Sequence, residues 1–155
     1  MPFTADDMLE IFQKVDVDGA AAQAVNDSGE TFAKLNRRQL FAGTTPDGDR
    51  LTPDYKSKYY ANKKNKMNPK PGLGTPDLRV TGDFQDQFEV TADTEEIDIT
   101  SPVEYAARLT ELYGDAQIYG LNDENTQEYI DGDFGDALGG ELERQTGINF
   151  LEGQQ

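Results

Sequence analysis

The sequence has no histidine, no cysteine and no tryptophan. Without histidine, the side chain that titrates nearest neutrality is missing, and with it the commonest general base. Without cysteine there is no thiol nucleophile, no disulfide and no thiolate ligand, so a metal would have to be held by oxygen atoms alone. Positive charge is scarce too: 14 Lys and Arg stand against 30 Asp and Glu in 155 residues, a formal charge of -16. No apolar run nears the roughly 20 residues that a membrane-spanning helix needs. The opening segment carries Asp6, Asp7 and Glu10 where a secretory signal would be basic, so synthesis in a cytoplasm and no membrane partner are expected.

Hydrophobic residues make up 35 % of the chain, which suits one modest domain that completes its burial against a partner. Catalytic chemistry is poorly served. Thr44, Ser57 and Ser101 have no histidine to activate them, and neither a Ser-x-x-Lys motif nor a nucleophile elbow is present. Gly72-Leu73-Gly74 is not followed by the Gly-Lys-Ser/Thr of a phosphate loop and reads as a turn. The acidic runs 16–19, 122–125 and 131–136 offer oxygen ligands but lack the alternating acids, central glycine and terminal glutamate of a calcium loop. Thirty acids make close carboxylate pairs by chance, and no tryptophan offers a sugar platform, so a glycosidase is disfavoured. The expectation is a protein that is not an enzyme, with no catalytic residues, no cofactor and no metal.

The charge is unevenly spread. Residues 1–49 hold nine acids and four bases, residues 50–70 one acid and seven bases, residues 71–82 one of each, and residues 83–155 nineteen acids and two bases. Local net charge therefore runs -5, +6, 0 and -17. The basic stretch interleaves Arg50, Lys56, Lys58, Lys63, Lys64, Lys66 and Lys70 with Tyr55, Tyr59 and Tyr60. Such interleaving suits a single-stranded nucleic-acid platform, but a chain this acidic repels a phosphate backbone elsewhere. Two other readings stand: a solvated loop, or a loop that docks on an acidic protein surface, including that of a neighbouring identical subunit. The candidate interface comprises Arg50, Lys56, Lys58, Tyr59, Tyr60, Lys63, Lys64, Lys66 and Lys70.

Periodicity places the elements. Thr4 with Asp7 resembles a capping box, and Met8, Ile11, Phe12 and Val15 share a helical stripe that Gly19 is expected to end. A second helix is expected from Ala20 to Phe41, with Val25, Phe32, Leu35 and Leu40 near one face, before a turn at Pro46-Asp47-Gly48. The proline- and glycine-rich run 68–76 reads as a linker or turn. Alternation at Leu78 and Val80, at Phe84, Phe88 and Val90, and at Ile97 and Ile99 predicts two or three antiparallel strands within 77–100, with a hairpin connection at 92–95. Ser101-Pro102 predicts the start of a helix that Gly114 stops and that packs on the sheet, and Asn122 predicts the cap of a last helix. The glycines at 132, 135, 139 and 140 each weaken that helix by about 1 kcal/mol relative to alanine, so it is expected to order on assembly. The expected fold class is α+β: a small antiparallel sheet packed by a central helix, with N-terminal helices and a C-terminal helix. Its segments are 1–49 helical, 50–76 basic loop and linker, 77–121 sheet and helix core, and 122–155 acidic C-terminal helix and tail, all in one domain.

The stretch 74–114, GTPDLRVTGDFQDQFEVTADTEEIDITSPVEYAARLTELYG, joins a Leu-x-x-Thr-Gly turn (Leu78, Thr81, Gly82) to a hairpin and then to Tyr105-Ala106 on a helix ending at Gly114. This layout resembles the minor tail, tail-completion and neck proteins of tailed bacteriophages, and the likeness spans about residues 36–121. The resemblance implies a non-enzymatic virion protein of the neck or head-to-tail connection. It implies a homo-oligomeric ring whose partners are portal, adaptor or tail subunits. Exposed acids lining such a ring's channel would let DNA pass without being retained. The alternative is an acidic DNA mimic that binds a host nucleic-acid enzyme, motivated by the -17 segment and opposed by the +6 stretch that interrupts it.

Overall fold

The computed structural model describes residues 4–149. Its elements run α1 (Ala5–Lys14), α2 (Val17–Phe41), α3 (Lys58–Met67), α4 (Asp83–Asp86), β1 (Glu89–Ala92), β2 (Ile97–Thr100), α5 (Ala106–Tyr113), α6 (Asp115–Ile118), α7 (Asp123–Asp131) and α8 (Asp133–Thr146). This is the α+β class expected from periodicity, a small antiparallel sheet among N- and C-terminal helices. None of these helices is long and apolar enough to cross a membrane.

α2 is the central element because it is apolar on more than one side. Ala33 and Leu40 join Leu51, Leu78, Phe84, Phe88 and Ile118 in one core cluster, while Phe32 and Leu35 meet Tyr129 of α7 in another. Aromatic edges close both clusters: Phe84 and Phe88 lie 5.1 Å apart and Phe32 and Tyr129 5.3 Å apart, each pair nearly perpendicular. Between them, the buried amides of α2 grip the chain that returns after α6. Asn36 Nδ2 donates to the Ile118 carbonyl at 2.8 Å, and Gln39 Oε1 accepts from the Asn122 backbone N–H at 2.7 Å. The half-buried irregular segment 119–122 thereby has backbone polar groups satisfied by α2 side chains.

The hairpin lies on α2 rather than on the helix after it. β1 pairs with β2 in the register Glu89↔Thr100, Val90↔Ile99, Thr91↔Asp98 and Ala92↔Ile97. A two-stranded ribbon is marginal alone, and here α2 supports it. Asn26 Nδ2 donates to the Ala92 carbonyl and Asn26 Oδ1 accepts from the Ala92 N–H, at 2.9 and 2.8 Å. Gly29 lets the strand approach, since a Cβ there would sit 2.9 Å from the Val90 carbonyl oxygen.

Several expectations are corrected. Thr4 and Asp7 do form the capping box of α1, but the helix stops at Lys14, and Gly19 instead lies in the first turn of α2, where Asp16 accepts its N–H. Residues 58–67 are a helix, not loop, and the 77–82 segment is not a strand. Leu78 has a left-handed φ of 54°, and it is buried while Val80, which a strand would place on the same face, is 76 % exposed. The Asp77 carboxylate accepts the Arg79 N–H at 3.0 Å and so turns the chain there. Phe84 sits in a one-turn helix, leaving two strands. Ser101 does not cap a helix: its hydroxyl donates to the Phe84 carbonyl at 2.8 Å, and α5 begins only at Ala106.

Gly114 ends α5 and Asn122 caps α7 as the sequence implied. The expected single last helix is two, broken at Gly132, whose φ and ψ of -108° and -122° leave the helical region. The break lets Phe134 meet Tyr129 at 5.3 Å and sets α7 and α8 against α2 within the described chain. The tail from residue 150 lies outside the described residues.

Candidate protein interface

The basic stretch builds α3. Ser57 accepts the Tyr60 N–H at 3.2 Å as N-cap, and Lys64 and Lys66 occupy the last turn, where positive charge suits the helix dipole. Only Ala61 and Lys64 of this helix are buried. Lys64 reaches inward to Asp77: Nζ lies 2.8 Å from Oδ1, both side chains are at least nine-tenths buried, and the Arg79 carbonyl accepts from the same ammonium. Asp77 Oδ2 also accepts from Asn68 Nδ2 at 3.0 Å, and the Asp77 carbonyl accepts from Gln85 Nε2 at 2.6 Å. The pair therefore pins α3 to the turn at 77–79. A buried pair of this kind holds only while both members are present.

Four of the nine candidate residues are thus occupied within the chain. Lys64 is the buried partner of Asp77. Arg50 pairs with Asp54 and donates to Thr75 Oγ1 at 2.9 Å, holding the turn before α3. Tyr60 stacks edge-on against Tyr55 at 5.0 Å, and Lys70 lies over the Phe41 ring at 5.5 Å. Burial pushes the Tyr55 phenol well above its usual range, and the Asp77 carboxylate adds to the shift. Lys56, Lys58, Tyr59, Lys63 and Lys66 remain on the surface, with Tyr59 81 % exposed. Tyr59, Lys63, Lys66 and Met67 recur at helical spacing, so they share one face, and Met67 is 63 % exposed.

The structure also shows a surface that sequence reasoning missed. A groove of about 450 Å³ opens between the first half of α2, the hairpin loop and α7, lined by apolar side chains including Val25, Phe32 and Tyr129. Ile97 and Ile130 lie in it at 49 % and 46 % exposure. Its rim is acidic, with Asp18, Asp93, Glu95 and Glu96 and no Lys or Arg among the described lining residues. The backbone N–H groups of Glu95 and Glu96 both donate to the Asp93 carboxylate, at 2.8 and 2.9 Å, and hold its pKa below the usual range. These residues come from three separate segments, 18–32, 92–97 and 121–134, of which the sequence marked 92–95 only as a hairpin connection.

A second cleft joins Lys34, Arg37, Arg38 and Arg79 to Asp86, Glu128 and Asp133. Its charges are largely cancelled within the chain, since Arg38 grips Glu128 and Arg79 Nη1 lies 3.4 Å from Asp86. The acidic runs considered for calcium serve local structure. Asp16 and Asn122 cap helices, and Asp133 accepts from the Thr31 hydroxyl. Among the described residues, no three acidic side chains converge in a metal-holding arrangement. α1 carries a further apolar surface, with Met8, Leu9 and Phe12 at 40 %, 58 % and 65 % exposure and no buried residue.

No family model, no curated protein and no solved structure matches the chain.

Proposed function

We propose that this chain is a non-enzymatic structural subunit of a tailed-phage virion, assembling in a ring at the neck and joining the tail to the portal. The observation that carries the reading is the exposed face of α3, where Tyr59, Lys63, Lys66 and Met67 concentrate positive charge and apolar surface on a chain of charge -16. Such a face suits an acidic protein surface better than solvent, because opposite charge steers docking and the exposed aromatic then loses its water. Tyr105 of the helix and Arg79 and Val80 of the turn that carry the resemblance line one cleft with Tyr60 of α3.

The reading is tested by mixing the recombinant protein with purified portal-bearing heads and imaging the particles by electron microscopy. Added density at the portal vertex that is lost with Lys63→Glu/Lys66→Glu supports it. Heads that bind neither protein contradict it. Lys64 is left out of that variant because a glutamate there would face the buried Asp77 carboxylate.

A further inference from the structure

The groove between α2, the hairpin loop and α7 is apolar at its floor and acidic at its rim, and no residue of α3 lines it. Its chemistry is the complement of the α3 face: carboxylates at Asp18, Glu95 and Glu96 against ammonium groups at Lys63 and Lys66, and exposed Ile97 and Ile130 against exposed Tyr59 and Met67. We propose that the groove receives the exposed face of α3 from a second copy of the chain. This inference rests on the assembly reading and names the surface through which copies meet.

Charge complementarity selects this occupant. A second exposed apolar helix stripe, Met8, Leu9 and Phe12 of α1, belongs to a helix with Asp6, Asp7 and Glu10 against a single Lys14, so α1 offers no charge complement to an acidic rim. The α3 face brings only positive charge. Donor face and groove are different surfaces of one chain, so the contact is heterologous. Each copy offers a free α3 to the next, which generates a ring if the rotation closes. The contact leaves the Lys64–Asp77 pair untouched, since that pair lies on the inward side of α3.

Sedimentation velocity on the full chain tests the inference at low and high salt. The wild type is expected to associate with concentration and to dissociate as salt rises. Lys63→Glu/Lys66→Glu and, separately, Glu95→Lys/Glu96→Lys should each weaken association roughly tenfold or more, with circular dichroism unchanged because all four side chains are exposed. Mixing the two variants should restore association, because every junction between unlike chains then pairs opposite charges. A structural side effect of either substitution would not be rescued in this way. The inference is overturned if the wild type stays monomeric, if either variant associates like the wild type, or if the mixture stays dissociated. Presence of the chain in virions despite such a result would leave the assembly reading standing and remove only this interface.

Discussion

Lys64 and Asp77, thirteen positions apart in the chain, form an ion pair at 2.8 Å with side-chain exposures of only 8 % and 3 %. The pair converts part of a basic stretch into the anchor of a helix. It orients α3 so that Lys63 and Lys66 face outward.

Removing either partner strands a charge in the interior. Lys64→Met is expected to cost about 3–5 kcal/mol, read from urea unfolding, because Asp77 is left uncompensated. Lys63→Met and Lys66→Met should each shift stability by less than about 0.5 kcal/mol. Equal effects at all three positions would contradict the placement of α3.

Gly29 sits in the middle of α2, where alanine would ordinarily stabilise a helix by about 1 kcal/mol. Here Gly29→Ala is expected to destabilise, by about 1–2 kcal/mol, because the added Cβ meets the Val90 carbonyl at 2.9 Å and pushes the hairpin away. A rise in thermal midpoint would show that β1 does not lie against α2.

Asn122 links two elements, capping α7 through the Asn125 N–H at 3.0 Å and donating its own N–H to Gln39. Asn122→Ala keeps the second bond and loses the first, so a loss of about 1 kcal/mol in denaturant unfolding is expected. Asn122→Asp should retain most of the stability, since a carboxylate also caps.

Alkaline pH should weaken the fold. Burial raises the phenol pKa of Tyr55, Tyr113, Tyr119 and Tyr129 above the ordinary 10.0. Above about pH 10 the unfolded chain loses these protons while the folded chain keeps them, so unfolding releases protons and stability falls as pH rises towards the folded values. Unfolding midpoints measured from pH 8 to 11 should be flat at first and drop beyond 10. A flat profile throughout would place these rings in solvent.

Local signals were legible in the sequence and long-range ones were not. The Thr4–Asp7 box, the Asn122 cap, the Gly114 stop and the 97–100 strand were readable because each depends on a few adjacent residues. α3 was hidden because Ala61 and Lys64 are its only buried residues and Tyr60 is half-buried beside them, which leaves no apolar stripe to find. The false strand at 78–82 arose from alternation that Asp77, Leu78 and Gly82 override with a side-chain turn and left-handed backbone. Charge picked out Lys56, Lys58, Lys63 and Lys66 together with Tyr59, but could not tell them from Lys64, whose partner is brought close only by folding. The groove needed three remote segments to meet, and no spacing along the chain records that.

A virion subunit of the proposed kind is a stoichiometric part of the particle. Quantitative mass spectrometry of purified virions, from infections in which either the wild type or Lys63→Glu/Lys66→Glu is expressed, measures that directly. A fixed, ring-sized number of wild-type copies per virion and a strong depletion of the variant are expected. Virions that lack the wild-type chain would contradict that role.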